Sequence, residues 1–550
     1  MDKLSLDKNK AIFLALVILW VFLGYSGIDQ IYHQDEHRWA MLADGSQVGT
    51  APHPPITLFS LKLIGRIMGF DNLRVIPFLF SILNLLLIYF ISKKISGKET
   101  ALIAVSLFAV NVYSLVAGLQ IDIDGAILPF FILSGYYAYH SLQLGRNTVF
   151  WAIALFILMM GGFLAKLSFL LFVGAVIVDF MLGLYENKRI KLGIVLKFIP
   201  IIFLPLLITG GLFYYFNAGQ ISIIAKYAGH FKSFNFGERS YFELAFRVMK
   251  SVVLLSPLLL LPTIYGLFQK EIFKKYRLWY IYLFANLVFY LVIFDFSHLT
   301  VERYFMFMIF PSVLISAEAL HYLYKRLADG SKSEWVGAIG LFLIFSALIL
   351  NAYHFTLPLN PKSAYSDHLR SFSLNFLIPF SGGSGPIGFY FSALFILLSW
   401  FLSFVFLLLA FWKKGIGLIL LALFIVFGVG YNILFVNEYL KGSLYGSPSD
   451  IAKKTVNYVL EEPGIAGVIT YNDIAAYELK ASGKYDARFY TAPSRDYTER
   501  MEAYRGHYII VDFPEIDKPG RYWDIIQRCE LIKRSKDKKV NSYVFNCAKL

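Results

Sequence analysis

Charge and cysteine are both scarce in this chain. Of its 550 residues, 16% are Asp, Glu, Lys or Arg and 57% are hydrophobic, with a mean hydropathy of +0.60. An average soluble chain is nearer half apolar and a quarter charged, so an ordinary soluble domain is excluded. There are two cysteines, Cys529 and Cys547, and no cluster with metal-ligand spacing. No Gly-rich phosphate loop is present, since GIAG at 464–467 is too weak a signal, and no internal repeat is visible. The net charge of +14 does not point to nucleic acid, because the basic residues fall in short loops between apolar runs.

Apolar runs of about twenty residues recur from Ala11 to Val436, each long enough to cross a hydrocarbon core of about 30 Å. Uninterrupted lipid-facing runs must be helices. Hydropathy predicts about thirteen spans, at 11–28, 74–92, 101–118, 125–141, 149–163, 167–184, 195–215, 251–268, 278–295, 304–324, 336–353, 389–411 and 415–436. The first run lacks a small-residue cleavage site and reads as a retained span. Lys93, Lys94 and Lys98, then Lys188, Arg189 and Lys191, then Lys270, Lys274, Lys275 and Arg277, then Lys325 and Arg326, then Lys413 and Lys414 mark alternate loops as cytoplasmic. The N-terminus is then cytoplasmic and the segment after Asn437 lies outside. The stretch 149–184 is interrupted by Gly161-Gly162 and Lys166 and is read as a tight hairpin with Lys166 at the outer surface. A single tilted helix there would invert everything downstream, and the basic loops at 270–277 and 413–414 favour the hairpin.

A transmembrane domain over 1–440 carries three long outer loops, at 29–73, 216–250 and 354–388. The first ends in ITLFSLKLIGRIMGF, too short to span. Lys62 and Arg66 share one face of it, as on a helix lying on the membrane surface. The second holds Lys226, Tyr227, His230, Lys232 and Arg239. The third holds Lys362, Tyr365, Asp367, His368 and Arg370 and ends in SGGSGP. From 445 to 550 the pattern is that of a small soluble α/β domain. IAKKTVNYVLEE and RYWDIIQRC are helix-like, and GVITYND, HYIIVDFP, ELIKRS and NSYVFNC are strand-like. Both cysteines fall here; a disulfide suits an exported domain, and two unpaired strand cysteines are the alternative.

Two acidic pairs sit beside the apolar runs: Asp35-Glu36 after the first, and Asp122 with Asp124 before the fourth. Carboxylates at membrane depth are expensive and tend to be functional; the alternative is four solvated loop carboxylates. Helix neighbours do not face the same way, so one of Asp35 and Glu36 should face a substrate and the other pair locally, with Arg38 as its partner. Asp122 and Asp124 share a face only if that stretch is extended. His53, Lys62, Lys166, Arg303 and Tyr304 lie near the same surface, where the cations could hold a phosphate. Interfacial anchoring is the plain alternative for Lys166 and Arg303.

Five segments resemble motifs of the GT-C glycosyltransferases that use polyprenyl-phosphate sugars. YHQDEHRWAMLADG is similar to the acidic first-loop motif, and HPPITLF to the HPPL stretch of the protein O-mannosyltransferases. GLQIDIDGAILPFF resembles their second motif, which selects Asp124 over Asp122. GGFLAKLSFLLF and ERYFMFMIFP resemble stretches of the bacterial aminoarabinose (lipid A) transferases. The resemblance covers roughly residues 1–320. His53 stands where the aminoarabinose transferases carry a lysine. No loop is long enough for the β-trefoil insertion of the protein O-mannosyltransferases, and the oligosaccharyltransferase WWDYG signature is absent.

The resemblance implies an integral protein of a prokaryotic plasma membrane and an inverting transfer of a hexosyl or pentosyl group. The donor would be a polyprenyl-phosphate sugar and the acceptor a lipid or glycan, less readily a protein. Asp35 would be the base, with Glu36 beside it in the catalytic set, and Asp124 would orient donor or acceptor. His53, Lys62, Lys166, Arg303 and Tyr304 would hold the donor phosphate. No cofactor is required, and a divalent metal is compatible with the site. A flippase or transporter of lipid-linked oligosaccharides would predict broken helices in matching halves, and a glycan polymerase arginine-rich outer loops.

Overall fold

The computed structural model describes residues 8–32, 35–46, 55–145, 147–186, 192–216, 241–293, 302–327, 367–368, 371, 373–374, 376–380, 388–412, 416–465, 467–470, 476–483, 489–491, 508–511 and 527–547. The chain forms two compact units. One comprises Met1–Tyr25 and Leu42–Asp329, the other Ser26–Met41 and Gly330–Leu550.

The first unit is helical. Its helices are α1 (Lys8–Tyr25), the end of α2 (Asp35–Asp44), α3 (Pro55–Met68), α4 (Val75–Ser96), α5 (Lys98–Val110), α6 (Val112–Leu119), α7 (Leu128–Gln143), α8 (Thr148–Ala165), α9 (Phe169–Glu186), α10 (Leu192–Phe216), α11 (Tyr241–Leu255), α12 (Pro257–Phe268), α13 (Lys270–Lys275), α14 (Arg277–Val288) and α15 (Ile309–Leu327). Over the whole chain, seven helices among the described residues are long and apolar enough to cross a membrane, or nine if each of two bent pairs is one span. The apolar parts of α10 and α14 are shorter, and the span expected at 336–353 lies outside the described residues.

Two expected spans are not continuous. The run at 101–118 breaks at Asn111, where α5 and α6 meet at 67°, and the run at 251–268 breaks at Ser256, where α11 and α12 meet at 98°. Each break has a local cause. Asn111 is extended, and its Oδ1 accepts the Ser114 N–H at 3.0 Å as the N-cap of α6. Ser256 has φ of 73° and precedes Pro257, whose ring disfavours helix at the residue before it. The breaks satisfy each other, because Asn111 Nδ2 donates to the carbonyls of Leu254 at 3.3 Å and Leu255 at 3.0 Å. These are end carbonyls of α11, which have no partner within their own helix.

The hairpin at 149–184 is present as α8 and α9, but Gly161-Gly162, expected to interrupt it, lie inside α8. The break is at Lys166, which is extended and largely buried against Asp124 rather than set at the surface. Gly162 lets the turn close: a Cβ there would run into the ring of Phe169, the first residue of α9. α3 is the helix expected before the second span. Lys62 on it is half-buried and Arg66 exposed.

The second unit holds α16 (Ala393–Trp412), α17 (Gly417–Lys441), α18 (Pro448–Glu461), α19 (Ala476–Ala481) and two sheets. Residues 389–392, expected to open a span, instead form β2 (Phe389–Ser392), antiparallel to β1 (Leu377–Phe380); both strands are buried throughout. The larger sheet is built from β3 (Val468–Thr470), β4 (Phe489–Thr491), β5 (Tyr508–Val511), β6 (Glu530–Asp537) and β7 (Val540–Asn546), in the order β4-β3-β5-β7-β6. β3 is parallel to β4 and β5, and β7 is antiparallel to β5 and β6. Val456 and Val459 of α18 join Val468 and Val544 in its core. Cys529 and Cys547 form a disulfide joining the start of β6 to the end of β7. The four expected strands are all present and β4 is additional. Residues 521–526 of the expected helix RYWDIIQRC lie outside the described residues.

Candidate active site

The connection from α6 to α7 carries Asp122 and Asp124. Asp122 is extended, and its Oδ1 accepts the Ile123 N–H at 2.6 Å, which opens a wide π turn over Ile123–Ile127. Gly125 lies against α6, where a Cβ would collide with the Ala117 carbonyl. Asn84 of α4 donates to the Ala126 carbonyl at 2.8 Å. The turn is therefore held from two sides, and both carboxylates are buried.

Each carboxylate meets a cation from elsewhere in the helical unit. Lys166 Nζ lies 2.5 Å from Asp124 Oδ2, and Arg303 Nη1 lies 2.5 Å from Asp122 Oδ2. Both cations are 11% exposed. Tyr304 joins the two pairs. Its hydroxyl accepts from Arg303 Nη2 at 3.3 Å, Lys166 Nζ is 5.5 Å from its ring centre, and Tyr290 stacks on it at 5.9 Å. A buried charge must be paired or it is costly, and here four largely buried charges form two pairs.

Asp124 and Lys166 lie in connections between spans. Burial is the largest influence on Asp124 and pushes its carboxyl up, with Asp122 adding to it, while Lys166 and Arg303 pull it back. Burial also works against the Lys166 ammonium, but Asp124, Asp122 and Tyr304 outweigh it and hold its pKa above the ordinary value. Lys166 stays protonated, and a charged ammonium in direct contact favours the ionised form of Asp124. A cavity of about 20 Å³ adjoins the pairs, lined among others by Asp124, Ser168, Asn286, Tyr290, Arg303 and Tyr304. That is room for one water.

The residue before Arg303, Glu302, is fixed by a separate set of contacts. The Glu302 carboxylate takes Arg247 at 3.3 Å and Lys250 at 3.4 Å, and its carbonyl accepts from Tyr113 and from Ser251 at 3.5 Å. Sequence reasoning did not select Glu302, Arg247, Lys250, Tyr113 or Asn111. Glu302 was signalled by its place beside Arg303 at the head of an apolar run.

α2 presents the first acidic pair in an arrangement opposite to the expected one. Arg38 pairs with Asp35 at 3.3 Å, and Glu36 is fully buried. The local partner of Arg38 is thus the expected base. Asp35, Glu36 and Arg38 belong to the second unit, whereas Asp122, Asp124, Lys62, Lys166, Arg303 and Tyr304 belong to the first. His53 and residues 217–240 lie outside the described residues. Among the described residues, no group of three or more His, Cys, Asp or Glu side chains is placed to hold a metal.

Residues 52–209 match the family of dolichyl-phosphate-mannose-protein mannosyltransferases. That stretch includes Asp122, Asp124 and Lys166. No curated protein sequence matches the chain. Among solved structures, ArnT from Cupriavidus metallidurans in the apo state is similar at a TM-score of 0.57 and 14% identity, covering 98% of both chains. The same protein bound to undecaprenyl phosphate gives 0.54 and 15% identity over 97% of both chains. An oligosaccharyltransferase from Archaeoglobus fulgidus gives 0.48 and 12% identity over 94% of this chain and 71% of that one. The chain thus shares its fold with ArnT, and its residues 52–209 match the mannosyltransferase family.

Proposed function

We propose that the protein is an inverting glycosyltransferase that moves a sugar from a polyprenyl-phosphate donor to a lipid or glycan acceptor at the outer face of the membrane. The observation that carries this is the juxtaposition of Asp124–Lys166, whose partners lie in breaks between apolar helices, with Asp122–Arg303, whose arginine opens the apolar run Glu302–Leu327. A donor phosphate can draw on both cations, with the carboxylates holding them in place until it binds. The ArnT structure with undecaprenyl phosphate supports a lipid phosphate as the donor's leaving group.

In this reading Asp35 removes the proton from the acceptor hydroxyl as its oxygen bonds to the anomeric carbon. The bond from that carbon to the phosphate oxygen breaks, and its electron pair leaves on the phosphate. The departing group is already an anion, so it needs cations and no general acid. Lys166 and Arg303 supply them, Tyr304 keeps the two cations apart, and Asp124 sets the position of Lys166. His53 and Lys62 extend the basic surface. The chemistry of these residues needs no cofactor, and a divalent metal would act on the same phosphate. The absence of a loop that could hold a β-trefoil favours a lipid or glycan acceptor over a protein.

The helix breaks at Asn111 and Ser256 bring the transporter reading forward, since discontinuous helices are its mark. Here the Asn111 amide donates to the carbonyls of Leu254 and Leu255, so the open ends of the break already carry a donor from the chain itself. Transfer of radiolabelled sugar from a purified lipid-linked donor is the test. Asp35→Asn should lower turnover by about 10²–10⁴-fold without lowering the unfolding temperature. Near-normal turnover in that variant would overturn the assignment of Asp35. Movement of intact lipid-linked sugar across vesicles without transfer would overturn the enzyme reading.

A further inference from the structure

A second, larger cavity lies at the end of the helical unit where α4, α7 and α9 terminate and α14 begins. Its volume is about 660 Å³, and its walls include Lys94, His140, Asp179, Lys274, Lys275 and Arg277. None of these residues belongs to the ion-pair site.

The charges are unevenly spent. Asp179 accepts from Arg277 Nε at 2.9 Å and from the Tyr139 hydroxyl at 2.8 Å, and Glu186 takes Arg277 Nη1 at 2.9 Å. Both wall carboxylates are therefore occupied by one arginine. Lys275 is paired with Glu318 at 2.7 Å. Lys94 is held without being neutralised. Its ammonium donates to Ser141 and sits 4.5 Å from the Tyr137 ring centre and 5.5 Å from that of Trp151. Lys274 has no carboxylate partner among the described residues and is exposed. Two cations thus remain on a wall that also carries Tyr136, Phe180 and Leu278. On the outside of α9, Val178, Met181 and Tyr185 are exposed, as they would be against lipid chains.

The same lysines lie in the loops that the positive-inside rule places on the cytoplasmic side, where the leaflet carries anionic lipid. We propose that this cavity binds the phosphate headgroup of an anionic phospholipid from the cytoplasmic leaflet, with Lys94 and Lys274 on the phosphate and the acyl chains along α9. The site is independent of the sugar-transfer site and of its assignment.

The test is native mass spectrometry of the full chain in detergent with phosphatidylglycerol, phosphatidylcholine of the same chains, or inorganic phosphate. The wild-type protein should retain phosphatidylglycerol in preference to phosphatidylcholine. Lys94→Gln/Lys274→Gln should weaken that preference by roughly tenfold to thirtyfold, and Lys94→Arg/Lys274→Arg should keep it. Equal retention by the wild type and the glutamine variant overturns the site. Competition by inorganic phosphate with no preference among lipids overturns the lipid assignment in favour of a free-phosphate site. If the glutamine variant does not fold, the wild type still decides: its preference must fall as salt rises, and a salt-independent preference overturns the proposal.

Discussion

Lys166 and Asp124 are 42 positions apart in sequence and touch at 2.5 Å. Each sits where an apolar helix has just ended, the lysine in the hairpin of α8 and α9, the aspartate in the turn before α7. Their contact therefore ties together two interruptions of the membrane-crossing chain.

Removing one partner should be worse than removing both. Lys166→Met leaves a buried carboxylate and should cost about 3–5 kcal/mol. Adding Asp124→Asn should recover most of that loss. Thermal unfolding in detergent measures both. Sugar transfer should stay depressed by about 10²–10³-fold in the double variant, because the phosphate has lost a cation. Recovery of transfer together with stability would show that Lys166 is structural.

Arg38 and Asp35 form a different kind of pair, with side chains 56% and 29% exposed. Water screens such contacts, so Arg38→Ala should change stability by less than about 1 kcal/mol. A chemical denaturation curve indistinguishable from wild type is the expected result.

Asn111 closes three backbone groups at once: the Ser114 N–H and the carbonyls of Leu254 and Leu255. Asn111→Leu has similar bulk and no hydrogen bonds. It should cost about 1–3 kcal/mol for each buried group left unsatisfied, read as a lower unfolding temperature. A variant as stable as wild type would mean that the breaks are held some other way.

Gly125→Ala places a methyl group against the Ala117 carbonyl. Backbone must shift to admit it, and overpacking of this kind costs about 1–3 kcal/mol. Because the shift moves Asp124, transfer should fall further than stability does. Comparing turnover with unfolding temperature in one preparation separates the two effects.

The Cys529–Cys547 bridge closes a loop of 18 positions. Cross-links of that length stabilise by about 3 kcal/mol. Reduction of the full chain should lower the temperature at which the C-terminal sheet unfolds, and Cys529→Ser/Cys547→Ser should remove the response to reductant.

Much of this was legible in the chain itself. Strands β3, β5, β6 and β7 follow from runs of β-branched and aromatic residues, and the hairpin follows from length and from the lysine at 166, whereas the two glycines expected to interrupt it lie inside α8. Asp122 and Asp124 stand out because charge is rare around them. Their partners do not, since nothing in a linear pattern says that Arg303, 181 positions away, reaches Asp122. The helix breaks carried signals that hydropathy averages away: an asparagine inside one apolar run and a serine before proline inside another. Strand β4 was missed because three residues, FYT, are too few to show a period. The pairing of Arg38 with Asp35 depends on rotamers as well as spacing.

The Asn111 contact also has a chronology. Leu254 is synthesised 143 positions after Asn111, which at 5–20 residues per second is roughly 7–30 s. Throughout that interval the first bent pair has been made while the carbonyls that Asn111 Nδ2 will reach do not yet exist. Ribosome-arrested chains that end before Leu254, and chains extended far enough for Leu254 and Leu255 to have left the ribosome, should differ in the accessibility of position 111 to a water-soluble label, and equal labelling would show that the amide is sheltered from the start.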